Sequence, residues 1–540
     1  MCGFCFVNSK NIEPSKFKET YLSSNIVRRG GDGDNFYHNN NLLFAHSLFS
    51  VTGREPMKQP LYDKDKYLLF NGEIYNYKEL INKFSLQKDL SDTEVLFSLI
   101  KSIGFEDSLN EIFGAFAICY VDLTNDSVIL ARDAWGQKPL FYSADNEILV
   151  SSSFQLLEDF KGKNRSEADK NIFKLFGYSP FGKTINSKIR YVLPNQCIRI
   201  NLASNEIYES KFKQVKHRNI KSDIFDSLKK SILLTSREDN TCVAFSGGID
   251  SSVIAALSRN VDKDLPFIHL KIKENKNEYR KAIFLKDKLD LNFQLIDYDT
   301  ESEETLLNNI IDHPVDNYGM IATYNLAKFA SKKGFRIMLT GFGSDELFAG
   351  YSRAKNFYKL KNLDIKSGKF KIFMSLMNVS FKTSLIFLIV SLFIKNKFNL
   401  LTFLFLILRN NESRQYIFKN IFSSLKTLNN INYSDDFILS AATYLEALAR
   451  FEKIYVMPEV MCTPLDVVGQ QLSIEFRSPF LNPDIDNNFF QSFKETYIPS
   501  KAVLEDFLKQ NSLFIESPKE RFSSNLRRKY RKERINDLIS

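Results

Sequence analysis

The stretch VAFSGGIDSS at residues 243–252 restricts the fold of this chain more than any other. An apolar run breaks at two glycines and resumes with helical spacing, so it reads as a strand ending at Phe245, a tight turn and a helix. Two glycines let the backbone curl closely round an anion, the serines offer hydroxyls, and the start of a helix points its N–H groups at the same place. No lysine follows in the spacing of the loop that cleaves a γ-phosphate in kinases and GTPases. FRIMLTGFGSDELFAGY begins as another strand at Phe335 and enters a second glycine turn. Strands followed by helices predict a parallel sheet with ligands at the carboxyl ends of its strands.

With 540 residues the chain is too long for one core. Residues 1–210 hold short alternating or apolar runs such as KYLLFNGEIYNY, FGAFAICYVDLTNDSVILARD and QCIRINLASNEIYES, the pattern of a sheet-rich domain with few helices. One helix is SDTEVLFSLIKSIG, where Ser91 and Glu94 have capping-box spacing. The second domain is expected over 217–540. A composition of 44% hydrophobic and 25% charged residues reads as globular, and the net charge of +9 permits an anionic ligand or a membrane surface without requiring one. Six scattered cysteines read as reduced thiols, and no basic segment precedes an apolar leader, which predicts a cytoplasmic chain without a secretory signal. The five histidines form no zinc motif.

Two further segments ask for a reading. Once Met1 is removed, Cys2 carries a thiol and a free α-amine on one residue, so the amine can take the thiol proton as in N-terminal nucleophiles; the alternative is a small buried cysteine in a first strand. TSLIFLIVSLFIKNKFNLLTFLFLILRN is apolar over 384–394 and 400–408 around Lys395 and Lys397, each half too short to span a bilayer. It reads either as a buried helical hairpin or as an apolar hairpin that dips into one leaflet or docks an apolar partner. The basic run RRKYRKER near the end reads as a solvated helix face or an anion site.

The 246–252 turn resembles the pyrophosphate loop of the ATP pyrophosphatases. With Cys2 at the amino end, the chain resembles the glutamine-hydrolysing, class B asparagine synthetases over nearly its whole length. RRGGD at 28–32, NGEIYNY, SDTE, RDAWGQKPLFY, TGFGSDELFAGY, DVVGQQLSIEFRSPFL and PSKAVLEDFL occur in the family's order. The resemblance implies an α/β chain: an N-terminal-nucleophile αββα sandwich followed by an adenine-nucleotide α-hydrolase-like domain with a parallel sheet. It implies Cys2 as nucleophile, Asn71 and Gly72 as oxyanion hole, and Arg29, Asn71, Glu73 and Asp92 around glutamine. It places ATP on Ser246, Gly247, Gly248, Asp250, Ser251 and Ser252 of one turn and Gly341, Gly343, Ser344 and Asp345 of the other. Mg²⁺ would sit on Asp250 and Asp345, with Lys501 as a catalytic cation at the α-phosphate. Ammonia would pass through an interior channel to an acyl adenylate of aspartate or a sugar acid, releasing AMP and pyrophosphate. Implied partners are glutamine, ATP and a small or glycan-linked carboxylic acid, without nucleic acid; peripheral membrane contact through 383–408 and a homodimer are left open.

Gly31 stands in place of the family's Pro in RRGGD, and two departures bear on the chemistry. In FAHSLFSVTG, Leu48 replaces the arginine that grips the glutamine carboxylate, with Arg28 and Arg54 as candidate substitutes, and Phe342 replaces the glutamate thought to accept a proton during amidation. Phenylalanine cannot act as a base. Relatives with the HxLxSxTG form accompany surface-polysaccharide genes, which points to a sugar acid. A β-lactam-forming type of ligase and a non-catalytic scaffold in a glycan complex are the competing readings.

Overall fold

The computed structural model describes residues 2–51, 58–212, 224–236, 240–259, 261–272, 275–299, 320–348, 350, 360, 362–377, 381–394, 396–409, 416–417, 420–431, 433, 435–482, 485 and 501–516. Arg54, Lys395, part of the FAGY end of the second turn motif and the RRKYRKER run lie outside them.

The first part of the chain contributes twelve strands among the described residues. They are β1 (Gly3–Asn8), β2 (Gly33–Asn39), β3 (Leu42–Leu48), β4 (Leu61–Asp63), β5 (Lys66–Ile74), β6 (Gly114–Asp122), β7 (Ser127–Arg132), β8 (Phe141–Ala144), β9 (Ile148–Ser151), β10 (Arg190–Tyr191), β11 (Gln196–Asn201) and β12 (Ile207–Lys211). Two antiparallel sheets result, in the orders β10-β8-β9-β1-β3-β2 and β12-β11-β7-β6-β5-β4. Alternation decides which side chains meet between them. Phe4 and Phe6 of β1 pack with Tyr67 and Leu69 of β5 in the inter-sheet core. Cys5 and Val7 face the other way, against the helices Pro14–Ser23, Phe154–Lys161 and Glu167–Phe176. Leu68, Phe70 and Ile74 likewise face the helices Tyr77–Lys83, Asp92–Ile103 and Phe105–Glu111.

This is the expected αββα layering. The Ser91–Glu94 capping box is present with both reciprocal bonds. The expectation of few helices is corrected: six α-helices cover the two sheets among the described residues, several of them short and capped by a serine such as Ser153 or Ser166. Cys2 and Cys5 have the C-x-x-C spacing of redox motifs, but odd spacing on a strand turns the two thiols to opposite faces, and all six cysteines are free.

The second part holds a five-stranded parallel sheet, β15-β14-β13-β16-β17, from β13 (Thr241–Ala244), β14 (Phe267–Lys271), β15 (Phe293–Asp297), β16 (Ile337–Leu339) and β17 (Glu475–Arg477). Val243, Phe267, Ile337 and Leu339 pack on one face with the helices Ile249–Ser258, Lys276–Leu289 and Ala502–Gln510. Cys242, Ile268, Met338 and Phe476 pack on the other with Met320–Lys332 and Thr463–Gln471. A sheet covered on both faces explains why its central strands β13 and β16 read as short apolar runs.

The apolar stretch forms two helices, Phe381–Ser391 and Lys397–Arg409. Phe387, Val390, Phe398 and residues 403–407 are fully or almost fully buried in a core that also contains Phe173, Phe176 and Phe181 of the first domain. A hairpin lowered into a leaflet along its length is therefore not what these residues build. Among its described residues the turn stays outward, at Leu392 and Phe393. No described helix is long and apolar enough to cross a membrane.

Candidate active site

Alternation along β1 and β5 turns Cys2 and the pair Asn71 and Glu73 toward the layer between the two sheets. Cys2 continues the row of Phe4 and Phe6; Asn71 and Glu73 continue the row of Tyr67 and Leu69. The Cys2 Sγ accepts from the Phe49 N–H at 3.5 Å. Burial pushes its thiol above the usual range, opposed by the positive amino terminus and by the Phe49 bond. Asn71 is fully buried, yet neither amide atom has a protein partner. An orphaned amide of this kind costs stability unless a ligand answers it. Gly72 has φ +146°, and a Cβ there would lie 2.1 Å from the Ala115 carbonyl oxygen, so only glycine fits beside β6. Asp92 accepts from the Ile74 N–H at 3.0 Å, which pins the end of β5 next to Glu73. Burial raises the Asp92 carboxyl despite that bond.

Arg29 is also brought to Cys2, but in another manner. Its guanidinium donates to the Cys2 carbonyl at 3.5 Å and the Ser152 carbonyl at 2.9 Å, and pairs with Asp466 of the second domain at 3.1 Å. Leu48 is half-buried opposite Gly33. Of its candidate substitutes, Arg28 bonds Gln471 at 3.3 Å, and Arg54 lies outside the described residues.

At the carboxyl end of β13, Gly247 has φ +76°, and a Cβ would meet the Ala282 backbone nitrogen at 2.7 Å. The Gly248 N–H donates to Ser246 Oγ at 3.1 Å, and Ser252 Oγ donates to the Gly248 carbonyl at 2.7 Å, which winds the turn onto the helix. Since β16 lies beside β13, its own turn, with Gly341, Gly343 and Ser344, reaches the same place. Ser344 Oγ donates to Asp250 Oδ1 at 2.7 Å, and a Cβ on Gly341 would press on Asp250 at 2.9 Å. Lys501, buried at the start of the Ala502–Gln510 helix, binds Asp250 and lies 2.6 Å from Asp345. Burial would lower its pKa, but the two carboxylates outweigh it and the ammonium is held charged. Two converging carboxylates fit the one or two that a Mg²⁺ ion takes from a protein when phosphates and water complete its shell.

A small pocket is lined by Lys138, Asp466, Phe342, Met457, Phe476 and Ser478. Asp466 is the partner of Arg29 beside Cys2. Phe342 belongs to the Gly341–Gly343 turn, and its carbonyl accepts from Ser478 Oγ. Lys138 lies 2.5 Å from Glu475 and 3.6 Å from Asp466. Arg477 reaches Glu73 at 2.7 Å, and Arg132 reaches Glu459 at 3.5 Å. These cross-domain charges were not assigned in the sequence, although Lys138, Glu475 and Arg477 stand inside its motifs; a charge flanked by apolar residues is the signal that points to them.

The model of the asparagine synthase family matches residues 226–539, more than half of the chain. The chain belongs to the asparagine synthase family. A glutamine amidotransferase domain model matches residues 1–213. Among curated proteins, asparagine synthetase (glutamine-hydrolyzing) 1 of Bacillus subtilis is 28% identical over 395 residues, 68% of this chain and 62% of the relative. Asparagine synthetase (glutamine-hydrolyzing) 2 of the same organism is 28% identical over 371 residues, 61% of this chain and 49% of the relative. The matched segment thus spans less than two thirds of the length of either. Among solved structures, the allosteric regulatory enzyme of purine biosynthesis aligns with 14% identity and a TM-score of 0.31, over 55% of this chain and 80% of the other.

Proposed function

We propose that this chain is a glutamine-dependent amidotransferase that forms an amide from a carboxylic acid at the expense of ATP. Cys2 attacks the glutamine side-chain amide, and the developing oxyanion is received by the Asn71 amide and the Gly72 N–H. Collapse of the tetrahedral intermediate, with a proton passed to the nitrogen, expels ammonia and leaves a Cys2 thioester, which water then hydrolyses to glutamate and the free thiol. Glu73 and Asp92 hold the substrate, whereas Arg29 positions Cys2 through its carbonyl. In the second domain the 246–252 and 341–345 turns bind ATP; Asp250 and Asp345 would hold a Mg²⁺ ion, which would supply charge neutralisation to the phosphates. The acceptor carboxylate displaces pyrophosphate to give an acyl adenylate, and Lys501 offsets charge at the α-phosphate. Ammonia passing Lys138 and Phe342 yields the amide, AMP and one proton. That proton leaves through the acceptor or water, since Phe342 has no basic atom.

One observation carries the reading: the fully buried Asn71 amide has no protein partner and, by strand alternation, faces the inter-sheet layer that Cys2 also faces. The acceptor is aspartate or a sugar acid. The test is glutamine-dependent release of AMP and pyrophosphate across a panel of carboxylic acids including aspartate and uronic acids. Pyrophosphate release with one acid, lost for glutamine but kept for ammonium in Cys2→Ala, supports the proposal; no glutamate and no pyrophosphate with any acid refutes it.

A further inference from the structure

Between residues 365 and 434 the chain has ten lysines and arginines and one acid, Glu412. The net +9 of this stretch equals that of the whole protein, so the remaining residues carry equal numbers of cations and acids. Asp364, Asp435 and Asp436 flank the stretch; of its cations Lys366, Lys371, Lys397 and Lys426 are exposed, and several large exposed apolar side chains lie on the same elements.

On the Lys369–Met377 helix, Phe370, Met374 and Met377 stand at i, i+4 and i+7, one face, while Ile372 and Leu376 are buried. Phe370 is 70% exposed. Lys369 Nζ binds the Ser391 and Ile394 carbonyls, which brings this helix to the hairpin turn, where Leu392 and Phe393 are 68% and 62% exposed. Asn429 Nδ2 donates to the Phe393 carbonyl at 3.0 Å and draws in a third element, the Ile421–Asn429 helix. On that helix Phe422 and Lys426 share the face of Asn429, and Phe422 is 86% exposed. Lys371 and Lys426 on these helices, and Lys366 and Lys397 beside them, are exposed, as is Asp364.

We propose that this surface, formed by the 369–377 helix, the 392–393 turn and the 421–429 helix, docks peripherally on an anionic lipid bilayer. Separate protruding phenylalanine, leucine and methionine side chains suit insertion among headgroups. The exposed lysines suit anionic lipid, and the three segments themselves carry no acid that would be repelled. An apolar surface without a charge bias would leave the occupant open; the exposed lysines on and beside these segments, which themselves carry no acid, select a negatively charged plane. None of these residues belongs to either site of the proposed amidotransferase, so the two readings stand or fall separately.

The experiment is co-sedimentation of the full chain with phosphatidylcholine vesicles, with and without phosphatidylglycerol. Binding is expected only with the anionic lipid and is released by salt. Replacing Lys371, Lys397 and Lys426 by glutamine should weaken it by about five-fold per lysine, on the order of a hundred-fold together. Phe370→Ser with Phe393→Ser should abolish it at low salt while the thermal midpoint stays that of wild type. Equal binding to both vesicle types, no binding to either, or unchanged binding of the lysine variant overturns the proposal. So does recovery of an acidic protein on this surface with no vesicle binding.

Discussion

Glu73 and Arg477, separated by 404 positions in the sequence, meet at 2.7 Å across the two domains, and the Arg477 side chain is fully buried. Its second amino group donates to the Thr235 carbonyl at 2.7 Å. A buried guanidinium cut off from its carboxylate leaves an uncompensated charge. Glu73→Ala should therefore cost about 3–5 kcal/mol of stability, more than truncation of an exposed acid. Denaturant unfolding would measure it, and a cost below about 1 kcal/mol would show that Arg477 finds water or another acid.

Asn71→Ala should lower glutamine hydrolysis by about a hundred- to a thousand-fold, the usual effect of removing one oxyanion donor. Ammonia-driven amidation should be unchanged. The buried amide now lacks a protein partner, so stability should hold or rise slightly. A large fall in thermal midpoint would mean that Asn71 serves the fold instead.

Lys501 holds two carboxylates together, and Lys501→Met should leave Asp250 and Asp345 facing each other without a cation. A loss of about 3–5 kcal/mol is expected in the absence of metal. Added Mg²⁺ should raise the thermal midpoint of this variant more than that of wild type. Equal responses to Mg²⁺ would remove the two aspartates as its ligands.

Leu48→Arg should lower the KM for glutamine by about ten-fold or more if the substrate carboxylate still meets position 48, given about 1.5–3 kcal/mol for a charge-assisted bond. Steady-state glutaminase kinetics decide it. An unchanged KM would show that the carboxylate is held by another cation.

His46 on β3 is fully buried, and burial above all lowers its pKa to about 3. The folded state keeps the ring neutral where the unfolded chain takes a proton, so this group contributes stability above the ordinary histidine range. That contribution is lost as pH falls below about 6.5, amounting to about 2 kcal/mol by pH ~5. Urea unfolding at neutral and mildly acidic pH should show wild type falling further than His46→Gln; parallel declines would assign the acid sensitivity elsewhere.

Local chemistry was the most legible part of the chain. The Ser91–Glu94 box and the strand, glycine turn and helix at 241–258 are set by neighbours a few residues apart, and they stand where the pattern puts them. Helices such as Phe154–Lys161 were hidden because they are short and their apolar positions resemble strand alternation. The partner of Arg29 was hidden for another reason: Asp466 is distant in sequence, and nothing local distinguishes a gripping arginine from a bracing one. The apolar hairpin shows the same limit, since hydropathy records that its residues avoid water without recording what they avoid it with.

Phe181 of the first domain packs on Phe398 and Tyr455 of the second, with ring centroids 5.6 and 5.0 Å away, inside the core shared with the hairpin. A polypeptide ending at residue 212 would bring that aromatic flank into solvent. The two halves are thus not portable modules: recombination between relatives would have to exchange the hairpin together with the sandwich it shields, or leave an aggregation-prone wound in both products.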